Sequence, residues 1–402
     1  MADVQQIFTI ANAVNQQAFG KTAIAVVDTG SFIAHGDFVL KSDENKDAYT
    51  NALMDLLGRT DVSMRLIPDP DDGVTKKPFE FGVIMRKIYT DVDDFIENNS
   101  WNIGQLGYTP KFAPIMKPTV MEHLFSKIST LELGVTIPDY LWKTGLRDPN
   151  EYGAVVESIM TARENAIRNT KKNLIKLTRA DAMAHVISKG TTVTLVDVKA
   201  RYQAAGGSDL TFAQALMDKN ALMFSNQLIK KYMGRLADGQ SVIFNQAGYK
   251  RYTPRDKQVL TILADYASAS QFYLESDTYN RNLVELPRVY NEVQYWQGSG
   301  TDYELSSTSA INVQIDGSTT VSRSGIIGVL HDWEAMGVMM DNVRTPTERN
   351  NHDEYTNYYY KADRGYFSDM SENVVVFVWG NEAAPATLAL ESINAEMTKK
   401  KS

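Results

Sequence analysis

The sequence predicts a mixed α+β protein, and three observations predict it. A helix signal of about 40 residues opens at Asp148-Pro149-Asn150-Glu151 and runs to Gly190. Seven of the 12 prolines (Pro68, Pro70, Pro78, Pro110, Pro114, Pro118 and Pro138) fall between Val62 and Tyr140, among strand-like runs. Near its end the chain carries an aromatic strand pattern, Tyr355–Phe367, and an apolar one, Glu372–Trp379.

Composition bounds the rest. At 402 residues there is chain for two or three folding units, and 10% aromatic residues argue against global disorder. With no cysteine, disulfides, thiolate nucleophiles, iron–sulfur clusters and cysteine zinc sites are excluded. A net charge of −8 supplies no basic footprint for tight nucleic-acid binding or for an anionic membrane. The start, Met-Ala-Asp-Val-Gln-Gln, has no basic region, and no stretch approaches a membrane span. A soluble product made in a cytoplasm is expected.

Residues 1–60 read as an extended N-terminal arm with a short helix near Val4–Gln17, turn signals at Gly30 and Gly36, and a helix at Asp47–Leu57. Residues 61–140 read as a long β-hairpin arm. Its strand-like runs start at Phe79 and Lys111, and its tip lies near 93–110. Proline cannot donate to a sheet ladder, so these strands belong on an edge or off the body. A two-stranded arm is marginal in water and must rest on something, another subunit being one candidate. Residues 141–190 hold the long helix. Asp148 caps it, Pro149 takes the first helical position, and Ile159 lies on an apolar stripe with Val155, Val156 and Ala162. A rod of about 60 Å follows from its length, with a bend or break at Thr178.

Residues 191–345 read as an α/β unit. Helices are expected at Thr194–Ala204, Thr211–Arg235 and Thr253–Ser270, and strands at Val284–Val293 and Ser324–Leu330. Pro287 demotes the first strand to an edge, and Gly298–Gly300 mark a surface loop. Residues 346–380 supply the two closing strands, expected to pair with each other. The tail, 381–402, is polar and ends Lys-Lys-Lys-Ser.

No catalytic constellation emerges. Gly20-Lys21-Thr22 lacks the earlier glycine of a phosphate loop, since position 15 is Asn, so it reads as a turn. His35, His123, His185, His331 and His352 contain no pair at helical metal-ligand spacing. His331-Asp332 and His352-Asp353 lack a nucleophile in an elbow setting and read as structural or solvated. Asp69-Pro70-Asp71-Asp72-Gly73 lacks the calcium-loop pattern. Tyr355-Thr-Asn-Tyr-Tyr-Tyr has no interleaved basic residues and reads as a packed strand or interface rather than a base-stacking platform. The basic residues between Arg163 and Arg179 read as a solvated helix face or a subunit contact. No metal and no cofactor is expected.

The order of parts, with Arg86-Lys-Ile-Tyr-Thr-Asp-Val, the helix from Asp148, Gly325-Ile-Ile-Gly-Val-Leu-His-Asp-Trp-Glu-Ala-Met-Gly-Val, Arg344–Arg349, Asn357-Tyr-Tyr-Tyr and Val374-Val-Val-Phe-Val, resembles tailed-bacteriophage major capsid proteins. The likeness is nearest to the short-tailed phage coat proteins. The resemblance implies the Hong Kong 97 type fold: an N-terminal arm (1–60), an extended β-hairpin loop with part of the peripheral domain (61–140), that domain's long spine helix (141–190), an axial α/β domain (191–345) and the peripheral domain's return strands (346–380). It implies a subunit that self-assembles into pentamers and hexamers of an icosahedral or elongated shell around double-stranded DNA. It further implies a virion location after assembly in the host cytoplasm. The partners it implies are further copies of itself, a separate scaffolding protein, a portal protein, minor head proteins and non-specifically held packaged DNA, with no membrane. Asp148, Pro149 and Ile159 on the helix, Asp93, Trp101 and Tyr108 at the arm's tip, and Arg344 and Arg349 in the arginine-bearing loop are the assembly or structural candidates. No Lys–Asn pair with a helping carboxylate is identified for the cross-linking some relatives perform. The alternatives are an encapsulin-like nanocompartment shell, which shares the fold, and an unrecognised enzyme.

Overall fold

A computed structural model describes residues 4–20, 25–42, 44–45, 48–49, 52, 73–76, 85–91, 118–125, 128–138, 149–276, 290–297, 308–315 and 319–381. Two sheets organise these residues, and one long helix runs past both.

The five-stranded sheet has the order β4-β13-β9-β5-β6, from β4 (Leu195–Asp197), β5 (Gln258–Leu263), β6 (Asn291–Val293), β9 (Ile326–Asp332) and β13 (Val374–Val378). Every residue of β9 and β13 is buried. Near-continuous apolar sequence is what a strand covered on both faces requires. The four-stranded sheet centres on β12 (Tyr355–Ser368). β3 (Ile128–Pro138) lies along one edge, and β10 (Met336–Arg344) and β11 (Thr347–Asn350) follow each other along the opposite edge. β3 alternates exposed and half-buried positions, so one face of this sheet is solvated. The closing strands Tyr355–Phe367 and Glu372–Trp379 therefore form, but they do not pair with each other. The alternating strand takes the one-sided sheet, and the all-apolar strand takes the centre of the buried one.

The long helix, α3 (Pro149–Lys189), spans 41 residues as expected and ends before Gly190, where a Cβ would run into the Val186 carbonyl oxygen. It is continuous through Thr178, so of the expected bend or break no break is formed, and the Thr178 hydroxyl donates to the Leu174 carbonyl at 2.8 Å. Along its length it serves three apolar cores. Ile159 packs on the first, with Ala11, Val14, Phe32, Ile137 and Tyr358. Leu174, Ile175 and Ala182 join Val74, Met336 and Val338 in the second. Ala180, Met183, Ala184 and Val186 enter the large core around the five-stranded sheet.

The N-terminal stretch corrects the extended reading. It holds α1 (Val4–Phe19), where a short helix was expected, and a second helix, α2 (Thr29–Leu40), where turns were, both packed in the first of those cores. Gly30 and Gly36 lie inside α2 rather than at turns. The Asp28 carboxylate accepts from the Ser31 N–H at 2.7 Å to start that helix, and burial of Phe32 and Val39 outweighs the glycines' poor helix propensity. Gly20 does act as a turn, closing α1 with φ +56°. Of the Asp47–Leu57 helix, only 48–49 and 52 are among the described residues, and these are helical.

Three helix expectations in the α/β unit are revised. The first begins as β4 and becomes α4 (Val198–Ala204), capped by Asp197, which accepts from the Ala200 N–H at 3.0 Å. The second divides into α5 (Phe212–Leu216) and α6 (Lys219–Leu236), because Asp218 starts a new helix by accepting from the Ala221 N–H at 2.9 Å. The third is β5 followed by α7 (Ala264–Ser276). Val259-Leu260-Thr261-Ile262-Leu263 suits a central strand, and tertiary burial overrides the helical period. Strand 326–332 matches expectation. Of Val284–Val293 only β6 and Tyr290 lie among the described residues, so the Pro287 reading falls outside them. A hairpin of β7 (Ile311–Ile315) and β8 (Thr319–Arg323) covers part of the large core.

The expected hairpin arm is seen at its stem. β1 (Met85–Asp91) and β2 (Thr119–Phe125) pair antiparallel from Met85 opposite Phe125 to Asp91 opposite Thr119. The tip at 93–110 lies outside the described residues. The stem rests on the chain's own body, at the turn joining β12 to β13.

Candidate functional site

The sequence candidates are scattered rather than convergent. Asp93, Trp101, Tyr108 and Asp148 lie outside the described residues, and Pro149 is the first residue of α3. Arg344 makes a two-pronged contact with the Asp363 carboxylate across the β10–β12 ladder, at 2.9 and 3.1 Å. Arg349 stands opposite Thr356 on β11. Of the histidine–aspartate pairs, His331 and Asp332 do not meet through their side chains, whereas His352 Nδ1 lies 2.8 Å from Asp353 Oδ1 on the exposed surface. His331 is fully buried with Nδ1 2.8 Å from the Asp332 backbone carbonyl, and burial pushes its ring down to about 3. His35 is likewise pushed down to about 4 by burial, while His352 is exposed beside Asp353. Among the described residues no group of His, Cys, Asp and Glu is arranged to hold a metal ion, and no helix is long and apolar enough to cross a membrane.

What the structure does bring together is the root of the β1–β2 ribbon. Strand periodicity puts Lys87, Tyr89, Met121, His123 and Phe125 on one face, and Arg86, Ile88, Thr90, Val120, Glu122 and Leu124 on the other. The face turned to the body is largely polar. The Lys87 ammonium, 7% exposed, lies 3.1 Å from Asp369 and 3.7 Å from Glu372, and donates to the Glu334 carbonyl at 2.6 Å. The Tyr89 hydroxyl donates to Asp369, and its ring lies under the Arg251 guanidinium at 3.9 Å. His123 stands edge-on to Tyr89 and 3.7 Å from Asp369. Phe125 packs on Phe367, 5.0 Å between ring centres. A second foothold precedes the ribbon: Val74 is buried, Thr75 bridges to Val338, and the Lys76 ammonium sits 3.2 Å over the Trp333 ring.

The turn beneath is built to receive this face. Ser371 donates to Asp369 through its hydroxyl at 2.6 Å and its N–H at 3.0 Å, and the Asp369 N–H donates to the Ala335 carbonyl at 2.7 Å. Burial opposes the Asp369 anion, but Lys87, Ser371 and Tyr89 together outweigh it and hold the carboxyl below its usual range. Glu372 has the opposite balance. Burial pushes its carboxyl up, Lys87 and Arg251 offset this only in part, and Asp332 and Asp369 add to the rise.

The outward face exposes three large apolar side chains around an ion pair. Ile88, Val120 and Leu124 are 58%, 62% and 60% exposed, with Arg86 and Glu122 paired between them at 2.9 Å. Sequence reasoning singled out the hairpin, with Lys87 and Tyr89 inside a quoted motif and His123 and Asp332 weighed separately, but it did not bring them together or reach Asp369 and Glu372. The alternation in Arg86-Lys-Ile-Tyr-Thr-Asp was the available signal, yet it names no partner on the body.

A model of the Phi29-like phage major capsid protein family matches residues 9–378. The chain belongs to this family. It is therefore a structural major capsid protein of tailed phages, and its role is not enzymatic. The fold agrees with that of a chain in the capsid of Staphylococcus phage Andhra, at 9% identity and a TM-score of 0.51, covering 79% of this chain and 86% of that one. A chain of the cyanophage P-SCSP1u capsid is similar at 11% identity and a TM-score of 0.42, covering 80% of this chain and 91% of that one. No curated protein sequence matches the chain. For a Phi29-like capsid subunit the functional surface is the one that meets further copies, and the ribbon is its candidate.

Proposed function

We propose that this capsid protein assembles into pentamers and hexamers of a closed icosahedral or elongated head, with the β1–β2 ribbon and the segment beyond it lying across neighbouring subunits. The supporting observation is that the ribbon is anchored to its own body through Lys87 and Asp369 while Ile88, Val120 and Leu124 stand towards solvent. Exposed apolar surface of this kind marks an interaction site, and repeated contacts between copies close into symmetric shells. In this reading α3, in residues 141–190, is the spine of a peripheral domain that includes the four-stranded sheet. The five-stranded sheet with α4–α7 forms the axial domain, to which β13 returns. A scaffolding protein, a portal and minor head proteins complete assembly in the host cytoplasm, and the product is the virion shell.

The enclosed DNA is held without sequence preference. A subunit of net charge −8 repels phosphate on average, so the unassembled chain binds duplex DNA no tighter than micromolar, with strong salt dependence. Electron microscopy of the purified chain, intact and lacking residues 93–110, tests the assembly reading. Shells from the intact chain and few or none from a folded deletion variant are expected. Normal shells from the deletion would overturn the role given to the hairpin.

A further inference from the structure

The ribbon root holds more buried carboxylates than cations. Asp332, Asp369 and Glu372 are all buried there. Among the described residues, the lysine and arginine that reach Asp369 and Glu372 are Lys87, from β1, and Arg251, whose Nε lies 3.4 Å from Glu372. Asp332, at the end of β9, is met by neutral donors, the Thr253 hydroxyl at 2.7 Å and the Glu334 N–H at 2.8 Å. The remaining groups facing the cluster are Tyr89 from β1, whose hydroxyl is 3.3 Å from Glu372, His123 from β2, and Tyr249, whose ring packs on both. Among the described residues, three buried anions against two cations within ion-pair distance of them leave a negative charge uncompensated, and an uncompensated buried carboxylate is neutralised by a proton.

We propose that the ribbon root is a proton-coupled latch, in which the docked ribbon and body hold one more proton, on Glu372, than they hold when apart. Asp369 has Lys87, Tyr89 and both donors of Ser371 on it, and Asp332 accepts two short hydrogen bonds, whereas Glu372 meets the Tyr89 hydroxyl at 3.3 Å and its cations at 3.4 and 3.7 Å, so the proton resides on Glu372. Lifting the ribbon removes Lys87 and opens Glu372 to water, where its carboxyl returns towards the ordinary range.

The direction of pH dependence follows. A carboxyl raised in the docked state supports docking fully below its ordinary value of 4.5 and ceases to do so as pH rises through the raised value. Asp369, lowered in the docked state, acts oppositely, and its contribution fades only as pH falls below its ordinary 3.8. Docking is thus tightest in mildly acidic solution and loosens towards alkaline pH. This holds for the unassembled subunit and stands apart from the shell reading.

Hydrogen exchange on the full-length unassembled chain, corrected for intrinsic rates, reads it. The amides of 85–91 and 119–125 should lose protection several-fold between pH 4.5, the ordinary value of the Glu372 carboxyl, and pH 9, while those of 326–332 and 374–378 hold theirs and report an intact core. Glu372→Gln keeps the shape of the protonated acid, so it should flatten the profile and leave the ribbon more protected than wild type at pH 9. His123→Gln should keep the pH dependence. A flat wild-type profile, a Glu372→Gln ribbon less protected than wild type at pH 9, or flattening by His123→Gln alone would each overturn the proposal.

Discussion

The five-stranded sheet and the β1–β2 ribbon are held in place by opposite chemistry. In the sheet, β9 and β13 bury every residue, with Val376, Phe377, Val329 and Leu330 at or near zero exposure. The ribbon turns Lys87, Tyr89 and His123 to its own body and sends Ile88, Val120 and Leu124 outward. Apolar burial is non-directional and favours whatever removes most surface from water. A buried ion cluster contributes little net stability over apolar residues of the same size, but its loss is costly when one partner is removed. The sheet is therefore the source of stability, and the ribbon root fixes a position. That division suits a subunit whose body must fold alone and whose hairpin must keep an apolar face available for another copy.

Substitutions at the two places should part company. The largest effect is expected in the sheet. Val376→Asp places an unpaired charge at the centre of β13 and should remove most of the ~5–15 kcal/mol that stabilises a typical domain. Loss of soluble folded chain, or of cooperative thermal unfolding, checks it. Lys87→Met comes next. It strands Asp369 and Glu372 and should cost about 3–5 kcal/mol, but locally. The ribbon amides should exchange fast while the main thermal transition moves little. A matching fall in the whole-chain transition would show that root and sheet are one unit and would break the comparison. Asp218→Ala is smaller, about 1 kcal/mol, from the lost cap at the start of α6. It should appear in the main transition and not at the ribbon, which sharpens the contrast.

How much of this was legible depended on whether the determinant was local. The helix from Pro149 to Lys189 was readable almost to the residue, because its start signal, its apolar period and Gly190 all sit in one stretch. The closing strands were readable as strands, but not their partners. Val374–Val378 pairs with 195–197 and 326–332, and register of that kind is set by distant sequence. Val259–Leu263 was read as helix because a short apolar run carries no decisive period, and only burial between β9 and β6 selects the strand. The first N-terminal helix was legible, but the second was obscured by Gly30 and Gly36, whose poor propensity its packing in the core with Ile137 and Tyr358 overrides. The root cluster was out of reach for the same reason as the strand partners. Lys87 and Asp369 stand 282 positions apart, and nothing near either residue names the other.

The central claim is that the ribbon's outward face serves assembly and not folding. The most direct measurement counts shells by electron microscopy from the wild-type chain and from the variant carrying Ile88→Ser, Val120→Ser and Leu124→Ser together, after confirming equal thermal unfolding of the two subunits. Exposed positions away from structural features change stability by only about 0.5 kcal/mol each, so the subunits should melt alike. The account predicts abundant shells from wild type and few or none from the variant. Shells in normal number and size from the triple variant would contradict it.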